Sequence, residues 1–201
     1  MEGVSGPPFR VKKNRILKLY ANAPPQGAVV CFDEFGPMEL KPMAGNAWAK
    51  ATQPQRLRAT YHRCQGTEQL LAFYDVHDDC LAGTIHRRKT SRDLLVAWRR
   101  LRACYPPDTR IHLIQDNLSS HRHHTLTEFA RQNNIRLVPT PTYASWLNAI
   151  EAHFGPLKNF CLNNSDDPDH TTRRRRIYRY LTWRNKKHAH PDAPLRLFRR
   201  Y

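Results

Sequence analysis

Apolar residues fall into two patterns along this chain: continuous runs through much of the first half, and a stride of three and four in the second. The run AVVCF at 28–32, followed by Asp33, Glu34 and Phe35, is rich in β-forming residues and predicts a buried strand over 28–35. Behind it GPMELKPMAGN is punctuated by Pro and Gly, which predicts a loop or a ragged hairpin. QLLAFYDV (69–76) and CLAGTIH (80–86) flank the polar turn His77-Asp78-Asp79 and predict an antiparallel pair, with RLRATYH (56–62) as a candidate strand ahead of them. Leu94, Leu95, Trp98 and Leu101 then share one helical face over 91–103. IHLIQ (111–115) reads as a second buried strand, HHTLTEFARQNN (123–134) as a helix and IRLVP (135–139) as a short strand. Strands come first and a β, α, β alternation follows, so the expected class is α/β.

The flanks are helical and basic. RVKKNRILKLYAN (10–22) carries Ile16, Leu17 and Tyr20 at helical spacing and stops at Pro24-Pro25. Leu147, Ile150, Phe154, Leu157 and Cys161 step by three and four, which predicts one amphipathic helix over 145–161 with Glu151 beside its stripe and a kink at Gly155-Pro156. NNSDDPDH (163–170) is a polar loop, TTRRRRIYRYLTWRNKKH (171–188) a last basic helix, and APLRLFRRY (193–201) a loose tail. Trp146 and Trp183 stand beside Leu147 and Leu181, a setting that favours core over stacking on bases. The chain thus divides into a linker with a short basic helix (1–27), one main domain (28–162) and a basic helix with its tail (163–201).

Charge narrows the partner. Of 201 residues, 33 are Lys or Arg and 17 Asp or Glu, a net +16 spread along the whole length, which points to a polyanion and first to nucleic acid. The longest apolar stretch, AVVCF, is far too short to span a membrane, and MEGVSGPPFRVKK lacks the apolar core of a signal peptide, so a cytoplasmic location and no membrane partner are expected. Five cysteines stand at wide spacings with no C-x-x-C pair, which argues against a zinc ribbon or a disulfide framework and leaves them as small buried hydrophobes.

Three acids stand out. Asp33 and Asp116 each close an apolar run, where a buried carboxylate requires compensation. For Asp116 the plain reading is a helix cap, yet Asn117, Ser119 and Ser120 follow it and suit that task better, leaving the acid for another role. The plain reading of Asp33 is an acid paired with an arginine, and that of Glu151 a solvated helical acid. Two acids on neighbouring strands and one on a following helix can converge on divalent metal, which takes oxygen ligands. HRHH (121–124) has no separated partner acids, so a distinct zinc site is not expected.

The words VVCFDEFGP (29–37), DNLSSH (116–121) and PTYASWLNAIEAHFGPLK (141–158), with 34 residues between Asp116 and Glu151, resemble the IS630 branch of the IS630/Tc1/mariner DDE transposases. The resemblance runs over about residues 10–188 and rests on three ordered motifs. Two residues depart from the family pattern: Ala149 stands where Pro is common and Ala144 where Ser is usual, and neither removes a metal ligand. Family members also carry a helix-turn-helix region ahead of the catalytic domain, for which residues 1–27 are too few, so the chain is expected to be the catalytic half of a transposase.

The resemblance implies a ribonuclease H-like mixed sheet, three antiparallel strands followed by parallel ones, with helices on both faces. It implies Asp33, Asp116 and Glu151 as catalytic carboxylates holding two Mg²⁺ ions, with Mn²⁺ as a substitute, for DNA strand cleavage and transfer of the 3′ end. Asn117, His121 and Asn148 would support the ligands. Lys158 and Arg173 to Arg176 are candidate phosphate contacts, although four consecutive arginines point all round a helix and no more than two can share a face. The implied partners are transposon-end and target DNA and a second copy of the chain, in the bacterial cytoplasm at the nucleoid. Two other readings stay open: a truncated, inactive DNA-binding remnant, and a stand-alone ribonuclease H-like nuclease.

Overall fold

The computed structural model describes residues 7–45, 50, 52–53, 65–117 and 123–198. The elements run α1 (Pro7–Ala21), β1 (Gly27–Glu39), β2 (Thr67–Asp75), β3 (Cys80–His86), α2 (Ser91–Cys104), β4 (Arg110–Gln115), α3 (His124–Gln132), β5 (Ile135–Pro139), α4 (Glu151–Cys161) and α5 (His170–His188). Five strands form one sheet in the order β3-β2-β1-β4-β5. β1, β2 and β3 pair antiparallel, and β4 and β5 extend the sheet in parallel from β1. This is the mixed α/β sheet expected from the sequence; the candidate strand over 56–62 lies outside the described residues.

Alternation along the strands sorts the core into two layers. Val30, Phe32, Leu71, Phe73 and Leu113 face α2 and α3, where Leu94, Trp98, Leu101 and Leu126 meet them. Val29, Cys31, Leu70, Ala72, Ile114 and Val138 face α1, α4 and α5 through Ile16, Leu157, Cys161, Ile177 and Leu181. The short basic helix α1 therefore joins the second layer and buries Ile16 completely. Cys31, Cys80, Cys104 and Cys161 are free and buried, as small hydrophobes should be.

The structure corrects several local expectations. β1 does not stop at Phe35: a bulge between Phe35 and Met38 takes up Gly36-Pro37, where a missing N–H costs least, and pairing resumes at Met38 with Glu68. Residues 145–161 are not one helix but a 3-10 turn (Ser145–Leu147) and α4, interrupted at Asn148. The C-terminal segment is not loose, because Leu195 and Phe198 enter the first core layer and the Phe198 ring lies 5.5 Å from Phe73. At the free edge of β3, Asn185 donates to Leu81 O at 2.7 Å and accepts from Leu81 N at 3.0 Å, while Tyr178 Oη accepts from Ile85 N at 3.2 Å. Through these bonds α5 covers an edge that would otherwise invite strand pairing.

Candidate active site

Asp33 lies on β1 in phase with Val29 and Cys31, so its side chain projects toward the layer of α1, α4 and α5. The parallel register of β1 on β4 pairs Cys31 with Ile114, and two further residues bring Asp33 level with Asp116, just past the end of β4. Glu151 opens α4 in that same layer. Three carboxylates thus lie on one side of the sheet, where the parallel pairing of β1 with β4 ends. Burial pushes the Asp33 carboxyl up to about 7; the Glu34 N–H, donating to Oδ1 at 2.7 Å, works against this, and the charges of Asp116 and Glu151 add to the rise.

The chain fixes each carrier separately. Asn117 Nδ2 donates to Thr140 O at 2.5 Å and Thr140 N to Gln115 O at 2.8 Å, tying the strand end that bears Asp116 to the end of β5. Among the described residues the next helix, α3, starts at His124, and its cap is His123, whose ring accepts from Thr125 N. His121, Ser119 and Ser120 lie outside the described residues. Asn148, 1 % exposed, donates from Nδ2 to Phe32 O at 3.0 Å, and its own carbonyl accepts from Glu151 N at 3.1 Å. One residue thus links the backbone beside Asp33 to the first amide of α4. It does so from the turn before α4 and not from the same helix face, as a continuous helix would have had it.

Periodicity alone does not disclose the role of Tyr20. Its hydroxyl donates to Leu147 O at 2.8 Å and accepts from Ala149 N at 3.1 Å, and Cys31 Sγ lies 3.2 Å away. Burial raises both groups, the Cys31 thiol to about 11. The hydroxyl thereby holds the segment leading into Glu151 against β1. Lys12 of the same helix lines a cleft of about 310 Å³ with Gln115, Asp116, Asn117 and Pro139.

The basic candidates separate. Lys158 is exposed on α4, two turns beyond Glu151. Arg173 is 1 % exposed, pairs with Asp167 at 3.2 Å and donates to Glu39 O, so it is structural and not available to a phosphate. Arg174 pairs with the buried Glu68, and Arg176 with Asp167 at 2.6 Å; Arg175 alone of the four is fully on the surface. Both tryptophans expected in the core are outside it: Trp146 is 62 % and Trp183 48 % exposed. Tyr143, in the left-handed region at φ 60°, is 83 % exposed on the same loop as Trp146.

Three carboxylates with no thiolate among them form a hard-oxygen donor set of the kind Mg²⁺ and Mn²⁺ take. Among the described residues no three such side chains are gathered at ligating distance, so the acids stand as electrostatic neighbours and not as a closed cage. No helix among the described residues is long and apolar enough to cross a membrane.

Comparison with known proteins gives a consistent picture. The sequence profile of a DDE superfamily endonuclease matches residues 28–172. The fold is similar to that of the Mos1 strand transfer complex (TM-score 0.66, 13% identity, 94% of this chain and 59% of that chain). It is also similar to the mariner Mos1 paired end complex with Mg (TM-score 0.66, 15% identity, 98% and 62%). A third similarity is to the HTLV-2 integrase catalytic core domain in complex with magnesium, trimeric form (TM-score 0.53, 14% identity, 80% and 85%). The chain thus spans about three-fifths of the Mos1 chains it matches. Comparison with curated proteins returns no match.

Proposed function

The chain belongs to the DDE superfamily endonucleases, and on that premise we propose that it is the catalytic domain of an IS630-type transposase that cuts DNA and transfers the freed 3′ end. The observation that carries the reading is the placement of Asp33, Asp116 and Glu151 on one side of the sheet, with the charges of the other two felt at Asp33. These three would hold divalent metal. When bound, the metal supplies Lewis-acid stabilisation of the charge that builds on the phosphoryl oxygens.

The remaining work falls to the protein's own groups. Asn148 and Tyr20 orient the start of α4 and so the Glu151 carboxylate. Asn117 holds the Asp116 loop against Thr140. Lys12 beside Asp116 and the exposed Lys158 offer positive charge to the phosphates flanking the scissile bond. A net charge of +16 supports a DNA substrate, whose affinity falls with salt as counterions are released. A second copy of the chain on paired DNA ends, in the bacterial cytoplasm, completes the reading.

Nicking of supercoiled plasmid with Mg²⁺ or Mn²⁺ tests it, comparing wild type with Asp116→Asn and Glu151→Gln. The expected result is metal-dependent nicking that both substitutions abolish. A folded wild type that binds DNA without cutting it would instead support a non-catalytic remnant, and preference for RNA·DNA hybrid would support a ribonuclease H-like nuclease.

A further inference from the structure

The outer face of α5 carries a groove of about 480 Å³ lined by Arg175, Tyr178, Arg179, Thr182, Trp183 and Lys186. Three of these side chains are cationic and none is acidic, and no ion pair joins Arg175, Arg179 or Lys186 to an acid among the described residues. Beside the groove stands an aromatic trio. Phe160, at the far end of α4, stacks on Tyr180 (5.7 Å, 18°), and Trp183 lies 6.0 Å from both rings. Phe160 is 66 % and Trp183 48 % exposed, which leaves apolar ring faces in water on an otherwise strongly basic helix.

Flat apolar faces interleaved with cations that make no ion pair among the described residues suit a chain that offers exposed bases and phosphates together. A duplex keeps its bases stacked on one another and presents only backbone, so it would use the cations and leave the rings wet. A second copy of this chain, itself +16, would be repelled from the same face. We propose that this groove binds an unpaired DNA strand, its bases on Trp183 and Phe160 and its phosphates along Arg175, Arg179 and Lys186. On a helix that rises about 1.5 Å per residue these cations lie about 6 and 10 Å apart along the axis. Phe160 stands nine residues beyond Glu151, about 14 Å along α4. A strand that leaves the carboxylates along α4 therefore runs toward the groove.

The inference rests on the reading of the chain as a DNA-acting enzyme, and its test requires no cleavage. Binding of a fluorescent oligo-dT and of a duplex of equal length is followed by anisotropy in EDTA, with far-UV circular dichroism to verify folding. Trp183→Ala is expected to weaken oligo-dT binding about tenfold and duplex binding far less. Arg179→Ala with Lys186→Ala should lower the slope of log affinity against log salt for oligo-dT by about 1.4, at about 0.7 per phosphate contact. An unchanged oligo-dT affinity in Trp183→Ala, an equal loss for duplex, or an unchanged salt slope would overturn the proposal. Loss of nicking in the plasmid assay would bear on the carboxylates alone.

Discussion

Replacing Asp33 by Asn removes a charge that the fold holds at a cost. The native carboxyl titrates at about 7, whereas an unfolded chain would release that proton near 3.9. Between those values the native state keeps a proton that the unfolded state has lost, so native stability falls as pH rises and levels off above the native pKa. A gap of about 3 in pKa, at about 1.4 kcal/mol each, makes the full loss about 4 kcal/mol. Asn is neutral throughout and keeps Oδ1 to accept from the Glu34 N–H, so the variant should match wild type near pH 4 and exceed it by up to about 4 kcal/mol at pH 8. Urea unfolding in EDTA at several pH values measures the difference. Millimolar Mg²⁺ at pH 8 should then stabilise wild type and leave the variant unchanged. A difference that stays constant from pH 5 to 8 would refute the reasoning, because the carboxyl would then not be held near neutrality by burial and its neighbours.

Tyr20→Phe leaves Leu147 O and Ala149 N without their partner, which should cost about 1–3 kcal/mol in urea unfolding and slow nicking while DNA affinity stays as in wild type. Arg173→Ala strips a buried acid of one partner and should cost about 3–5 kcal/mol, against less than about 0.5 kcal/mol for the exposed Arg175→Ala; equal melting temperatures for the two would contradict the burial of Arg173. Phe198→Ala opens the first core layer beside Phe73 and should cost about 3–5 kcal/mol by chemical denaturation, whereas a loose tail would show no change.

The sheet and its acids were legible because local pattern determines them. A run of apolar residues marks each strand, and the alternation of side chains then places Asp33 in the layer of Cys31. What escaped depends on partners distant in sequence. The break between residues 147 and 151 has no local signature, since the apolar stride runs through it; it exists because Phe32 O and Tyr20 Oη capture Asn148, Leu147 and Ala149. The four arginines read as a solvated run because Asp167 is masked in a polar loop and Glu68 lies 106 residues from Arg174. Trp183 stands beside Leu181 in the sequence, and only the packing of α4 on α5 shows that its ring falls outside the buried stripe.

The phenol of Tyr20 joins three parts of the chain, at residues 20, 31 and 147–149, that the sequence holds far apart. Mechanically it is a rivet through helix, strand and loop. A load applied to α1, such as a ligand gripping Lys12 or Arg15, travels through that rivet to the amide of Ala149, two residues short of Glu151, without crossing the sheet. Alignment of the third carboxylate thus leans on a seated α1 as well as on the bonds that Asn148 makes to Phe32 and Glu151.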